Sequence, residues 1–114
     1  MQKYGITGAA GKVNYLVRKA QEKAVAGDHK TAVEYLEKVI DTAPQHAEAY
    51  ALMGDCYGCI GEHEQAIAYY DQALHIDPFH ADAWFNKGTS LRMVGREEEA
   101  AQCIEKSIEL YRGK

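Results

Sequence analysis

Several things are scarce in this sequence, and each scarcity narrows what it can be. No apolar run in its 114 residues approaches the roughly 20 needed to cross a bilayer, so no membrane span is expected. Residues 1–12 lack the apolar stretch of a secretory signal. Three cysteines are an odd number and too few for a disulfide scaffold, which fits a reducing compartment and makes the cytoplasm the expected location. Cations are missing from the middle of the chain. Residues 47–80 hold no Lys or Arg against Glu48, Asp55, Glu62, Glu64, Asp71 and Asp77, whereas 13–46 carry five charges of each sign and 81–114 carry six of each. With a net charge of −4, this argues against nucleic acid, whose phosphates reward a basic surface. The acidic centre would instead attract a partner with basic residues near its own middle.

Proline is scarce too, and the two prolines expose a period. Laying Pro44 over Pro78 aligns three blocks of 34 residues, at 13–46, 47–80 and 81–114. Gly27, Gly61 and Gly95 then coincide, as do Ala32, Ala66 and Ala100, and Ala20, Gly54 and Gly88. His29 falls on His63 and His46 on His80. Residues 1–12 remain outside the repeat as a flexible leader to a single domain at 13–114.

Each block reads as two helices. In the middle one, a helix opens at about His46 and is closed by Gly61, since glycine accepts the left-handed geometry of a helix exit. A second carries Ala66, Ile67, Tyr70, Ala73 and Leu74 at helical spacing and stops at Asp77-Pro78. The other blocks predict helices over about 13–26, 29–42, 81–94 and 97–111. Small residues at Gly54, Ala66 and Ala73 let the two backbones approach, with Tyr50, Met53, Tyr57 and Tyr70 filling the space around them. The fold class is therefore all-α.

The middle block shows Tyr50, Met53-Gly54, Tyr57, Ala66, Tyr70, Ala73 and Pro78, and the third shows Trp84, Lys87-Gly88, Leu91, Ala100 and Ile104. In period, order and residue type this resembles the tetratricopeptide repeat. Departures at Ala20, Lys23, Lys87, Ser107 and Arg112 fall in the end blocks, where one side faces solvent. The resemblance implies a right-handed α-α superhelix of three helix-turn-helix units. It implies a non-catalytic protein-interaction module whose first helices line a concave groove for an extended or helical segment of a partner. By that analogy the groove holds Asn14, Val17, Arg18 and Gln21 from the first block. The second contributes Glu48, Ala51, Leu52, Asp55 and Cys59. The third contributes Asp82, Phe85, Asn86, Thr89, Arg92 and Met93. Val17, Leu52, Phe85 and Met93 would form an apolar floor, while Arg18, Arg92, Asp55 and Asp82 orient the ligand. Val17 and Leu52 serve equally well as core.

Some three-repeat relatives bind the C-terminal carboxylate of heat-shock chaperones through a clamp of two Lys, two Asn and an Arg at fixed repeat positions. The matching positions here are Val17, Gln21, Leu52, Asp82 and Asn86, none with the clamp residue, so a chaperone tail is disfavoured as ligand. The chain also stops as the third block does, leaving Leu91, Ile104 and Ile108 only partly covered. Self-association through the terminal helices is thus an alternative function.

Other chemistry finds little support. Cys56-x-x-Cys59 is one pair where zinc wants four ligands, and it lies near a helix C-terminus, whereas redox pairs sit at helix N-termini. The leader's Thr7-Gly8-Ala9-Ala10-Gly11-Lys12 has Ile6 where a phosphate loop needs glycine and Val13 where it needs Ser or Thr. The acidic run Glu97-Glu98-Glu99 is explained by the helix dipole, and no Ser, His and acid arrangement stands out. No cofactor, metal or catalytic residue is expected.

Overall fold

Glycine ends every first helix. Gly27, Gly61 and Gly95 have φ of 87, 86 and 84°, the left-handed region in which side chains other than glycine's are strained. In the computed structural model, which describes residues 8–113, the helices between these turns are α1 (Ala9–Val25), α2 (His29–Thr42), α3 (Ala47–Cys59), α4 (His63–Ile76), α5 (Ala81–Met93) and α6 (Glu97–Tyr111). No strand occurs among the described residues. None of the described helices is long and apolar enough to cross a membrane.

One boundary differs from expectation. Helix α1 starts at Ala9, so 9–12 belong to the helix and not to the leader. Gly8 is extended there and its carbonyl accepts from the Lys12 amide at 2.9 Å, so Ala9 and Ala10, both strong helix formers, extend the first turn backwards. Residues 1–7, the remainder of the expected leader, lie outside the described residues.

Histidine starts two of the helices. At α3 the His46 Nδ1 accepts from the Ala49 amide at 3.0 Å, and at α5 the His80 Nδ1 accepts from Ala83 at 3.1 Å. Each ring thereby satisfies one of the amides that a helix start leaves unpaired. The prolines are fixed in the same repeated way: the Tyr50 hydroxyl donates to the Pro44 carbonyl at 3.1 Å, and the Trp84 Nε1 to the Pro78 carbonyl at 2.7 Å. One aromatic position thus pins each turn between repeats.

Within a pair, the packing is close. A methyl group at Gly54 would lie 2.6 Å from Cε1 of Tyr70, and one at Gly88 would lie 2.7 Å from Cγ1 of Ile104. Ala32, Ala66 and Ala100 are completely buried. Two departures from the repeat have local reasons. Lys87 pairs with Asp71 at 2.6 Å and lies over the Trp84 ring, while buried Ser107 donates to the Ile104 carbonyl at 2.7 Å. Leu91 is buried rather than half covered, since it belongs to the core that α5 makes with α6, whereas Ile108 stays exposed.

The three pairs stack into a body of 54 × 32 × 21 Å. The backbone of α3 comes close to both α1 and α5, whereas among the described residues the backbones of α2, α4 and α6 stay apart from one another. First helices therefore form the inner layer, and the concave side is theirs.

Candidate functional site

Of the residues expected to line the concave face, built from α1, α3 and α5, three kinds can be distinguished. Some are exposed: Asn14, Arg18, Gln21, Glu48, Cys59, Asp82, Phe85, Thr89, Arg92 and Met93, with Phe85 at 43% and Met93 at 62%. The Arg18 guanidinium stands over the Tyr15 ring at 5.9 Å, and Arg92 Nε is 3.9 Å from Glu97. Others are shared with the core: Val17 and Leu52 are half-buried and pack against the cluster around Leu16, Leu36 and Met53. One is misplaced by the repeat analogy. Ala51, expected in the groove, is only 5% exposed and packs with Ala66, Tyr70 and Ala83, because α5 closes over it.

Two of the acids are held by side chains that their spacing in sequence did not reveal. Asp55 Oδ1 accepts from the Tyr70 hydroxyl at 2.5 Å and from Asn86 Nδ2 at 3.1 Å, tying α3 to α4 and α5. Burial pushes the Asp55 carboxyl above the ordinary range, and those two hydrogen bonds oppose the shift without cancelling it. The Tyr70 hydroxyl is pushed up as well, chiefly by burial and then by the Asp55 charge, and so remains a donor. Asp82 accepts from the Tyr111 hydroxyl. Asp55 and Asp82, expected to be free to orient a ligand, are thus each partly engaged, and Asn86 is spent on Asp55.

His80 adds a further link. Its Nδ1 accepts from Ala83, so the neutral ring carries hydrogen on Nε2, which donates to Glu48 Oε1 at 2.9 Å. The recurrence of His46 and His80 just before a helix was the available signal for the capping role.

At the junction of the first two repeats the groove deepens into an apolar cavity of about 260 Å³. Gln21, Leu52, Asp55 and Cys59, all expected in the groove, line it together with Ala20 and Leu36. Phe85 and Met93 do not line it and stand exposed on α5. The two buried cysteines have no activated thiol: Cys56 is pushed up to about 11, mainly by desolvation, and Cys103 is pushed up for the same reason. Among the described residues no three His, Cys, Asp or Glu side chains gather to hold a metal. Nδ1 of His29, which lines the cavity, and of His63 is buried without a hydrogen-bond partner; as both show it, the feature recurs with the repeat.

Stacked helix pairs with an inner and an outer layer define a helical repeat solenoid. The chain belongs to the tetratricopeptide repeat family, whose models match residues 14–78 and residues 60–114. No curated protein sequence matches it significantly. Solved structures do. MamA superposes with a TM-score of 0.82 at 23% identity, over 89% of this chain and 59% of that one. The second TPR of Spaghetti (RPAP3) bound to the HSP90 peptide SRMEEVD gives 0.85 at 22%, over 91% and 98%. An O-GlcNAc transferase of Thermobaculum terrenum gives 0.88 at 26%, over 92% and 20%. The chain thus spans about three fifths of MamA and one fifth of the transferase. The fold is accordingly the right-handed α-α superhelix of three units. The exclusion of a chaperone tail, drawn from five clamp positions, gains no support from this likeness, since the Spaghetti (RPAP3) domain of the same fold holds such a peptide.

Proposed function

We propose that this protein is a non-catalytic binding module that holds a segment of a partner protein along its concave face. The observation that carries the reading is the combination of an apolar cavity, exposed large apolar side chains and acidic side chains on the first helices. An apolar cavity sits at the junction of the first two repeats with Asp55 in its wall. Phe85 and Met93 are exposed on α5, and Glu48 and Asp82 stand exposed at the starts of α3 and α5. Large apolar side chains beside charges are what peptide recognition uses, and exposed ones need such a reason. The binding unit is the three blocks of 13–114 together with the first turn of α1 that precedes them, and its free cysteines suit the cytoplasm.

The test compares capture from native cell extract by the intact chain and by a Leu52→Glu, Phe85→Glu variant, with circular dichroism establishing that both are helical. A protein retained only by the intact chain is the expected outcome, and identical capture by both would remove the groove from the account. The peptide SRMEEVD serves as a separate ligand, because its binding would place an acidic tail against Asp82 and overturn the preference for a basic partner.

A second reading, self-association, is favoured by Ile108 and Tyr111, 43% and 58% exposed on the outer helix α6. Light scattering should then give a mass that rises with concentration, and an Ile108→Glu variant should hold it at the monomer value.

A further inference from the structure

The cavity exists because one side chain changes between repeats. Leu36 stands where the second repeat has Tyr70. In the second repeat the Tyr70 ring lies against Gly54, too close to admit even a methyl group, and its hydroxyl reaches Asp55. In the first repeat Ala20 carries that methyl group, and Leu36 is too short to reach the groove. The space that tyrosine fills in one interface is left open in the other, and small Ala20, Ala24, Cys56 and Cys59 do not close it.

Its size restricts what can enter. About 260 Å³ lies below the roughly 300–1,000 Å³ of small-molecule sites but above the roughly 150 Å³ that holds a benzene ring. One leucine, methionine or phenylalanine side chain fits. Asp55 stands in the wall, and both of its internal hydrogen bonds fall on Oδ1, leaving Oδ2 for a cation. The surrounding 47–80 stretch holds no Lys or Arg to compete.

We propose that this cavity is an anchor pocket for one large apolar side chain of a partner peptide, and that Asp55 takes a Lys or Arg close to that side chain in the peptide. This rests on the groove reading above and names what the groove selects.

A displayed library of random peptides, selected on the intact chain, supplies the probe. Enriched sequences should pair a Leu, Met or Phe with a nearby Lys or Arg. An Ala20→Gly, Leu36→Tyr variant transplants the second repeat's packing into the first and fills the cavity. It should weaken those peptides by about tenfold or more, the worth of burying one such side chain. Cys59→Trp blocks the mouth from an exposed position, so it tests the same point should the double variant fail to fold. Exposed Cys59 also reports occupancy, since Cys56 and Cys103 are buried: bound peptide should slow its alkylation by N-ethylmaleimide. On Asp55→Asn the selection should lose its basic residue and keep the apolar one. Peptides that depend on Phe85 yet ignore the cavity variants and leave Cys59 reactive would overturn the anchor pocket while preserving the groove. A selection that enriches nothing would overturn both.

Discussion

Asp55 shows most clearly how one residue serves the fold and the face at once. Its carboxylate joins three helices, yet burial raises its folded pKa above the unfolded value. The folded state therefore holds the proton more tightly, and the sign follows. Below the unfolded carboxylate pKa the group carries no penalty, and stability is lost as pH rises through the folded pKa. An Asp55→Asn variant keeps an oxygen for Tyr70 and Asn86 and removes the charge. It should melt above the wild type at pH 7, with the difference vanishing near pH 3 in paired thermal melts. A variant that melts lower at pH 7 would mean that the charge stabilises the junction. None of this was legible in the sequence, because Tyr70 and Asn86 lie 15 and 31 positions from Asp55 and only folding brings them together.

At the scale of the element, glycine positions separate packing from turn geometry. Gly54→Ala would set a methyl group 2.6 Å from the Tyr70 ring. Alanine's helical advantage is about 1 kcal/mol, and overpacking costs roughly 1–3 kcal/mol, so the net effect should be destabilising. Gly58 lies in the same helix, but a methyl group there would meet Ser90 Oγ only at 3.8 Å. Gly58→Ala should therefore stabilise, by about 0.5–1 kcal/mol. Chemical denaturation of the pair checks both signs. Helix starts give a further test: His80→Ala removes the α5 cap and should cost about 1 kcal/mol, which His80→Asn should largely restore in the same measurement. Helix identity was read correctly from the 34-residue period, with α2, α4 and α6 placed as the breakers predicted. The start of α1 was not, because the glycines around it resemble a leader and nothing in composition distinguishes Gly8, which caps, from Gly11, which lies inside the helix.

For the molecule as a whole, the same period allowed the architecture to be read, since each block repeats one helix pair and three pairs have one economical way to stack. The inner layer followed, and most of the residues expected on it are exposed. The repeat analogy assumes that equivalent positions are equivalent in space, and it fails where neighbours differ. Ala51 is covered by α5, and Leu36 opens a cavity that Tyr70 closes one repeat later. That Leu-for-Tyr difference was visible in the aligned blocks, but its consequence depended on how close the helices pack. The cavity, lined by both helices of the first repeat and the first helix of the second, exists only in the folded solenoid.

The most direct test of this account is a two-dimensional amide NMR titration of the intact chain with its captured partner segment. Shifts confined to α1, α3 and α5, with Gln21, Leu52, Cys59 and Phe85 among the largest, are expected. Shifts concentrated on α2, α4 or the outer side of α6 would contradict binding on the concave face.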